Sequence, residues 1–275
     1  MAWTAMCHDP LPVGGIAVGL LVGTHALLGL PVSGPLLVAA GCGAALVYGV
    51  DRVFVDAPED RWNRPDRVDW VRAHRRWLVV EGGVLGIVGG VALFFLRPAT
   101  IVGAVLLGVV AAGRHVLSEK GRVWTTGWAK PFAIAAVWAV GGTALPMIEA
   151  GLVQGPALAW LGAYRILFVL PNVLLSDWGD RRGDRRAGLR PWGQHVREGH
   201  VRWGATIVLV AALGLVPVGR ALGVPLPLLL VDAVGPVLLL GGVWVLNPER
   251  TADRLVLDLM VAWPAVTAAV AWGIG

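Results

Sequence analysis

The hydrophobic positions of this chain form long, nearly unbroken runs, unlike the narrow apolar stripes of helices in soluble domains. Each run approaches the roughly 20 residues that a helix needs to cross a hydrocarbon core about 30 Å thick. Turn-forming residues separate the runs, for example at Arg97-Pro98. The pattern predicts an all-α bundle of nine membrane-spanning helices, at residues 11–30, 34–50, 77–96, 99–116, 128–147, 155–176, 201–218, 226–246 and 255–274.

Composition supports the assignment to a membrane protein. Hydrophobic residues make up 56% of the 275 positions and charged residues 15%, whereas soluble domains carry about 25% charged residues. Because the apolar runs recur along the whole sequence, we expect residues 1–275 to form a single integral membrane domain. Cys7 and Cys42 lie far apart in the sequence, which indicates neither a disulfide framework nor a cysteine metal site.

Lysine and arginine are distributed unevenly between the connecting segments. Segments 51–76, 114–130, 177–202 and 247–254 hold 20 of the 23 basic residues. Cytoplasmic loops carry such an excess, so these segments and the amino terminus are predicted to be cytoplasmic, and the membrane to be a bacterial cytoplasmic membrane. The net charge of +5 is then explained by topology and by contact with membrane lipids, and nucleic acid is not an expected partner.

Acidic residues follow directly behind the sixth predicted span, in the sequence DWGDRRGDRR. On a helix, Asp177, Asp180 and Asp184 fall within a stripe about 60° wide. Carboxylates so close together repel one another unless cations neutralise them, and hard oxygen ligands suit Mg²⁺ or Mn²⁺. The alternative is that the interleaved arginines pair locally with these acids in a solvated helix end. Those arginines are Arg181, Arg182, Arg185 and Arg186.

A first acidic cluster, Asp51, Asp56 and Asp60, follows the second predicted span. Pro58 disfavours an unbroken helix through it. The sequence DAPE also places Glu59 three residues after Asp56, as in a helix capping box, so capping is an alternative role for Asp56. Two acidic clusters on one side of a membrane predict divalent ions that bind a diphosphate and stabilise the charge that develops as it leaves.

These motifs resemble those of the UbiA superfamily of intramembrane prenyltransferases. The sequence DWGDRRGDRRAG matches the second DxxDxxxD motif of that family completely, and Asn63, Arg64 and Pro65 match the Asn-Arg-Pro element behind its first motif. Nine helices, with acidic motifs after the second and sixth, also agree with the family. The resemblance therefore covers essentially the whole chain.

The first cluster departs from the family pattern N-D-x-x-D-x-x-x-D. When Asp56 and Asp60 are aligned with it, Arg52 and Val53 stand where Asn and Asp are expected, and Asp51 is displaced. This departure from the family pattern weakens the expectation that Asp51 binds a metal ion.

The resemblance implies transfer of a polyprenyl group from a polyprenyl diphosphate donor to an aromatic or lipid acceptor, with Mg²⁺ required. It implies catalytic and metal-binding roles for Asp56, Asp60, Asp177, Asp180 and Asp184, with Asp51 as a further metal ligand. Substrate-binding roles are expected for Asn63, Arg64, Lys120, Arg122, Lys130 and Arg181. For the cations of 114–130, simple anchoring at the membrane surface is an equal alternative.

Two other functions remain open at this point. A related enzyme of the same superfamily could cyclise or hydrolyse the same donor. A transporter would need acids in the middle of its spans, but most of the 18 acidic residues lie in the four basic segments.

One cation, Arg165, lies inside the sixth predicted span, about 18 Å from Asp177 along a helix. A buried cation is costly without a partner, and Asp232 is predicted to lie at a similar depth in the eighth span. We therefore expect the two side chains to pair. The pair would either lock two helices together or line the inner end of a prenyl pocket.

Overall fold

The computed structural model describes residues 2–54, 59–120, 129–188 and 192–274. Within these ranges the chain is helical and contains no strand, which confirms the all-α prediction. The helices are α1 (Ala2–His8), α2 (Leu11–Leu28), α3 (Gly34–Phe54), α4 (Asp60–Asn63), α5 (Pro65–Leu93), α6 (Pro98–Lys120), α7 (Ala129–Ala150), α8 (Gly155–Arg186), α9 (Glu198–Gly214), α10 (Val216–Ala221), α11 (Leu226–Val245), α12 (Thr251–Val261) and α13 (Pro264–Ile274), with a short 3-10 helix at Trp192–His195.

Every predicted span falls on one of these helices, or on a consecutive pair of them. In the described part of the chain, seven spans are long and apolar enough to cross a membrane, with α9 and α10 counted together as one. The consecutive helices α12 and α13 form an eighth span if their 43° bend is accepted within it. The remaining predicted span corresponds to α6, whose apolar portion, Pro98–Ala111, is shorter.

Two helices extend well beyond the predicted spans. Helix α5 begins at Pro65, 12 residues before the predicted start at 77, and α8 continues to Arg186, ten residues past the predicted end at 176. Residues 177–186, predicted to begin a connecting loop, therefore continue a membrane helix. This continuation holds the acidic stripe rigidly above the membrane part of α8.

Helix α8 lies at the centre of the bundle and packs against α7, α9, α4, α11 and α12. Its buried apolar side chains Phe168, Leu175 and Trp178 share a core with Leu209 of α9 and Leu239 of α11. By contrast, the outer faces of α5 and α6 carry many exposed apolar side chains, such as Ile87 and Val109. Such surfaces are suited to lipid, and the protein is an integral membrane protein.

The expected pair of Arg165 and Asp232 is confirmed. Arg165 Nη1 and Nη2 donate to the two carboxylate oxygens of Asp232, each at 3.0 Å, and both side chains are 1% exposed. Thr267 Oγ1 also donates to Asp232 Oδ1 at 3.1 Å. The pair thereby connects α8, α11 and α13 deep in the bundle.

Candidate active site

The acidic stripe of the second motif, formed by Asp177, Asp180 and Asp184, faces the protein interior. Asp177 and Asp184 are buried and Asp180 is half-buried, whereas Arg182 and Arg185 are exposed. Because α8 is continuous through Arg186, the three carboxylates keep the helical spacing expected from the sequence.

Asp180 binds two arginines from distant parts of the chain. Arg64 Nη2 donates to Asp180 Oδ2 at 3.0 Å, and Arg254 Nη1 donates to Oδ1 at 2.6 Å. Arg64 belongs to the Asn-Arg-Pro element, and Arg254 lies on α12. One carboxylate of the second motif thus joins the segment behind the first cluster to the carboxyl-terminal helices.

Asn63 fixes α4 against α8 through two hydrogen bonds. Its Nδ2 donates to Asp184 Oδ1 at 3.1 Å, and its Oδ1 accepts the Gly183 backbone N–H at 2.8 Å. Asn63 can do both because an amide side chain carries a donor and an acceptor. Together with the Arg64 contact, this brings the Asn-Arg-Pro element onto the second motif.

The third carboxylate, Asp177, binds Lys130 and Trp192. Lys130 Nζ forms an ion pair with Asp177 Oδ1, and Trp192 Nε1 donates to Oδ2 at 2.8 Å. Lys130 lies at the start of α7, and Trp192 begins the 3-10 helix. Asp177 therefore holds Lys130, which is expected to bind substrate, at the end of α8 where Asp180 and Asp184 also lie.

Two glycines of the second motif make these contacts sterically possible. A Cβ at Gly183 would lie within 2.7 Å of Asn63 Nδ2, and a Cβ at Gly179 would lie 2.5 Å from the carbonyl oxygen of Pro248. Cβ atoms essentially never approach other heavy atoms so closely. The spacing of Gly179 and Gly183 by one helical turn therefore lets two separate segments approach α8 on the face beside its acidic stripe.

The interleaved arginines bind elsewhere. Arg181 donates to Glu249 Oε1 at 3.0 Å and lies over the Trp178 ring, with its guanidinium carbon 3.4 Å from the ring centroid. Arg182 also pairs with Glu249, at 3.5 Å. Local i, i+4 pairing with the acids of the motif is therefore wrong for these two arginines. Arg181, expected to bind substrate, is engaged by Glu249 and Trp178.

The first cluster is described only in part. Asp51 lies in the last turn of α3 and is half-buried, and Asp60 begins α4 and pairs with Arg67. Asp56 and Arg122 lie outside the described residues, as does the side chain of Lys120. Glu59 occupies the N-cap position of α4, which begins at Asp60; the capping role considered for Asp56 lies outside the described residues.

Glu59 contributes a further acid beside the first cluster. Burial raises the pKa of the Glu59 carboxyl, and the negative charges of Asp60 and Asp51 raise it further, while the Lys130 charge opposes them. A nearby cation would stabilise the charged form of a carboxylate in such surroundings.

Known structures share this architecture. A UbiA homolog from Archaeoglobus fulgidus, bound to GPP and Mg²⁺, matches with a TM-score of 0.65 at 12% identity, and the match covers 98% of each chain. The chain has the UbiA fold. A structure of digeranylgeranylglyceryl phosphate synthase matches with a TM-score of 0.59 at 16% identity, again over 98% of each chain. An apo UbiA homolog from Aeropyrum pernix K1 gives 0.63 at 12% identity, over 94% of this chain and 97% of the homolog. Neither a protein-family model nor a curated protein matches the sequence.

Within this UbiA fold, the site contains residues that the sequence did not single out. Arg254 is 5% exposed and binds both Asp180 and the Pro248 carbonyl oxygen. Asn172 Nδ2 donates to Asp258 Oδ1 at 2.7 Å, about 7.5 Å deeper along α8 than Asp177. No spacing rule relates Arg254 to Asp180. The two glycines of the second motif, on the face beside the acidic stripe, were the available signal that other segments pack there.

The donor atoms at this site are suited to Mg²⁺. Among the described residues, no three acids, histidines or cysteines lie together as a ready-made metal cage. Mg²⁺ commonly uses only one or two carboxylates, together with substrate phosphates and waters. The oxygen atoms of Asp60, Asp177, Asp180 and Asp184 fit that mode of binding.

Proposed function

We propose that this protein is a Mg²⁺-dependent intramembrane prenyltransferase. It would transfer a polyprenyl group from its diphosphate to an aromatic or lipid acceptor. The observation that carries the proposal is the contact of Asn63 and Arg64 with Asp184 and Asp180. These contacts join the two motif regions, 116 and 121 residues apart, into one polar site at the end of a membrane helix. The A. fulgidus homolog with the same fold was solved with GPP and with DMAPP, each with Mg²⁺.

The acidic residues are assigned to metal binding. Mg²⁺ would be held by Asp60, Asp177, Asp180 and Asp184. Asp51 and Asp56 are assigned to the same role from their place in the sequence. Mn²⁺ offers similar coordination chemistry. When bound, Mg²⁺ neutralises diphosphate oxygens and so stabilises the leaving group.

The basic residues are assigned to the diphosphate. Lys130, Arg64 and Arg254 each pair with a carboxylate of the second motif. They therefore stand where they can donate charge-assisted hydrogen bonds to phosphate oxygens that approach those carboxylates. Lys120 and Arg122 are assigned to the same task from their place in the sequence. Asn63 acts by positioning, since it holds α4 against α8.

The proposal is tested by product analysis. Purified protein in lipid nanodiscs is incubated with labelled prenyl diphosphates of several lengths, Mg²⁺ and a membrane extract, and the products are identified by mass spectrometry. We expect a new prenylated lipid or aromatic compound together with free diphosphate. Prenyl alcohol alone would indicate a hydrolase, and a cyclic hydrocarbon would indicate a cyclase; either product in place of a prenylated acceptor would overturn the transfer reaction.

Variants connect the activity to the site. Asp180→Asn keeps the shape of the side chain but removes its charge, and we expect it to lower turnover by about 100-fold or more, as when a group that stabilises transition-state charge is removed. Asp69→Asn, at an exposed position of α5, is the matched control and should retain normal turnover. Equal turnover in the two variants would contradict the assignment of the acidic stripe.

A further inference from the structure

An amide and a carboxylate meet below the acidic stripe, in the apolar part of the bundle. Asn172 Nδ2, on α8, donates to Asp258 Oδ1, on α12, at 2.7 Å. Asn172 is the polar residue in the otherwise apolar stretch 166–175, and Asp258 is the polar residue in the otherwise apolar stretch 255–261. Ionisable side chains at such depth are costly and commonly have a function.

A role in holding α8 against α12 accounts for only part of Asp258. The other deep carboxylate, Asp232, shows what such a role requires: Arg165 donates to both of its oxygens, and it is 2% exposed. Asp258 is half-buried, and its Oδ2 accepts no hydrogen bond within the described part of the chain. Asp258 therefore has one oxygen bound to a neighbouring helix and one oxygen open to a ligand.

The open oxygen lies on the inner side of the candidate active site. Asp258 bonds the central helix α8 and lies among protein atoms, so its accessible surface belongs to space within the bundle. The positive charges of Arg64 and Arg52 act on it, although no ion pair among the described residues joins it to either. Arg64 also binds Asp180. One guanidinium thus lies between the acidic stripe and the deeper carboxylate.

This position suits the second substrate of the reaction. The role of Asp258 rests on the proposed prenyl transfer, in which the diphosphate lies at the acidic stripe and the apolar prenyl chain extends into the bundle. The acceptor must then reach the reacting carbon from below the diphosphate, at the depth of Asn172 and Asp258, about 7.5 Å deeper along α8 than Asp177.

The chemistry of the open oxygen limits what the acceptor can present to it. An ionised carboxylate offers hydrogen-bond acceptors only, so its partner must be a donor. A hydroxyl group is such a donor and is compatible with apolar surroundings. A carboxylate or phosphate group on the acceptor would be repelled by Asp258.

We propose that Asp258 binds the hydroxyl group of the acceptor through Oδ2, and that Asn172 positions Asp258 by holding Oδ1. The acceptor is then a hydroxyl-bearing compound whose hydroxyl lies below the diphosphate. Asp258 is an acceptor-binding residue in this proposal, and the donor is bound by other side chains.

Asp258→Asn separates this role from a structural one. The amide oxygen of the variant can still accept the hydrogen bond from Asn172, while an NH₂ group replaces the open acceptor Oδ2. The matched control is Asp253→Asn, on the same helix. Asp253 Oδ2 accepts the Asn247 backbone N–H at 2.9 Å, so that variant loses the same charge and can keep its bond.

The assay measures the acceptor and the donor separately. Wild-type and variant proteins in lipid nanodiscs receive GPP, Mg²⁺ and increasing amounts of a membrane extract, and prenylated product is quantified by mass spectrometry to give kcat and an apparent KM for the extract. Binding of GPP with Mg²⁺ is measured without extract by native mass spectrometry. A second extract is treated with acetic anhydride, which caps hydroxyls and amines, and a third by reductive methylation, which modifies amines and leaves hydroxyls free.

We expect Asp258→Asn to lower kcat/KM for the extract by about tenfold or more, because a hydrogen bond to a charged group is lost. Its GPP affinity and melting temperature should stay close to those of the wild-type protein, and Asp253→Asn should behave as wild type. The wild-type protein should form product with the methylated extract but not with the acetylated one.

Four results would overturn the role of Asp258. These are normal kcat/KM in Asp258→Asn, an equal loss in Asp253→Asn, a loss of GPP affinity that matches the loss of transfer, and full use of the acetylated extract by the wild-type protein. The last result needs no variant and so decides the matter even if Asp258→Asn fails to fold. A wild-type protein that binds GPP but prenylates nothing in any extract would instead refute the proposed transfer reaction, and the role of Asp258 with it.

Discussion

The buried pair of Arg165 and Asp232 allows a quantitative prediction about stability. Arg165→Leu would leave the Asp232 carboxylate buried, with the Thr267 hydroxyl as its remaining described donor. Asp232→Leu would leave a guanidinium buried among Tyr164 and Phe168, whose rings lie 5.2 and 6.0 Å from the guanidinium carbon. Breaking a buried pair by removing one partner costs about 3–5 kcal/mol. We expect each single variant to lose that much stability.

Replacing both partners should recover much of this loss. In Arg165→Leu with Asp232→Leu no uncompensated charge remains, and apolar replacement of a buried ion pair is often neutral or stabilising. The assay is thermal unfolding of the four proteins in one detergent. On the scale of soluble proteins, the single variants should melt roughly 6–20 °C lower than the wild-type protein.

A surface pair provides the control. Glu198 is 49% exposed in its side chain and pairs with Arg202 at 2.6 Å, one helical turn away. Glu198→Gln should cost about 1 kcal/mol or less, because solvent screens exposed pairs. If the double variant of the buried pair melted as low as the worse single variant, our account of Arg165 as a charge that needs a partner would be refuted.

Three further outcomes are expected from the site. Gly183→Ala should lower product formation by about 100-fold, because the added methyl group displaces Asn63 and small displacements at a reacting site have large effects. The control is Gly204→Ala, whose added methyl group meets nothing within 4 Å and which should remain active. Asp56→Ser should lose most activity, since a hydroxyl is a poor Mg²⁺ ligand, and full activity would exclude Asp56 as a metal ligand. Removal of divalent ions with EDTA should stop turnover and added Mg²⁺ should restore it; turnover that persists in EDTA would contradict a metal-dependent reaction.

The sequence by itself determined the helical membrane architecture. Long apolar runs must form helices in a bilayer, since each backbone N–H and C=O group there needs a partner within the segment. The same local logic placed Asp177, Asp180 and Asp184 on one helical face, because the period of the helix is fixed by the backbone. It also paired Arg165 with Asp232, because a buried charge at a given depth has few possible partners.

Only the tertiary structure decided which groups meet the acidic stripe. Arg254 reaches Asp180 from 74 residues away, and Asn63 reaches Asp184 from 121 residues away. Such contacts depend on the angles and distances at which separate helices pack, and no local period encodes these. The sequence does contain the two residues that make these contacts sterically possible, Gly179 and Gly183. The absence of a Cβ at these two positions allows other segments to approach α8, but the choice of segments follows from the packing of the whole bundle.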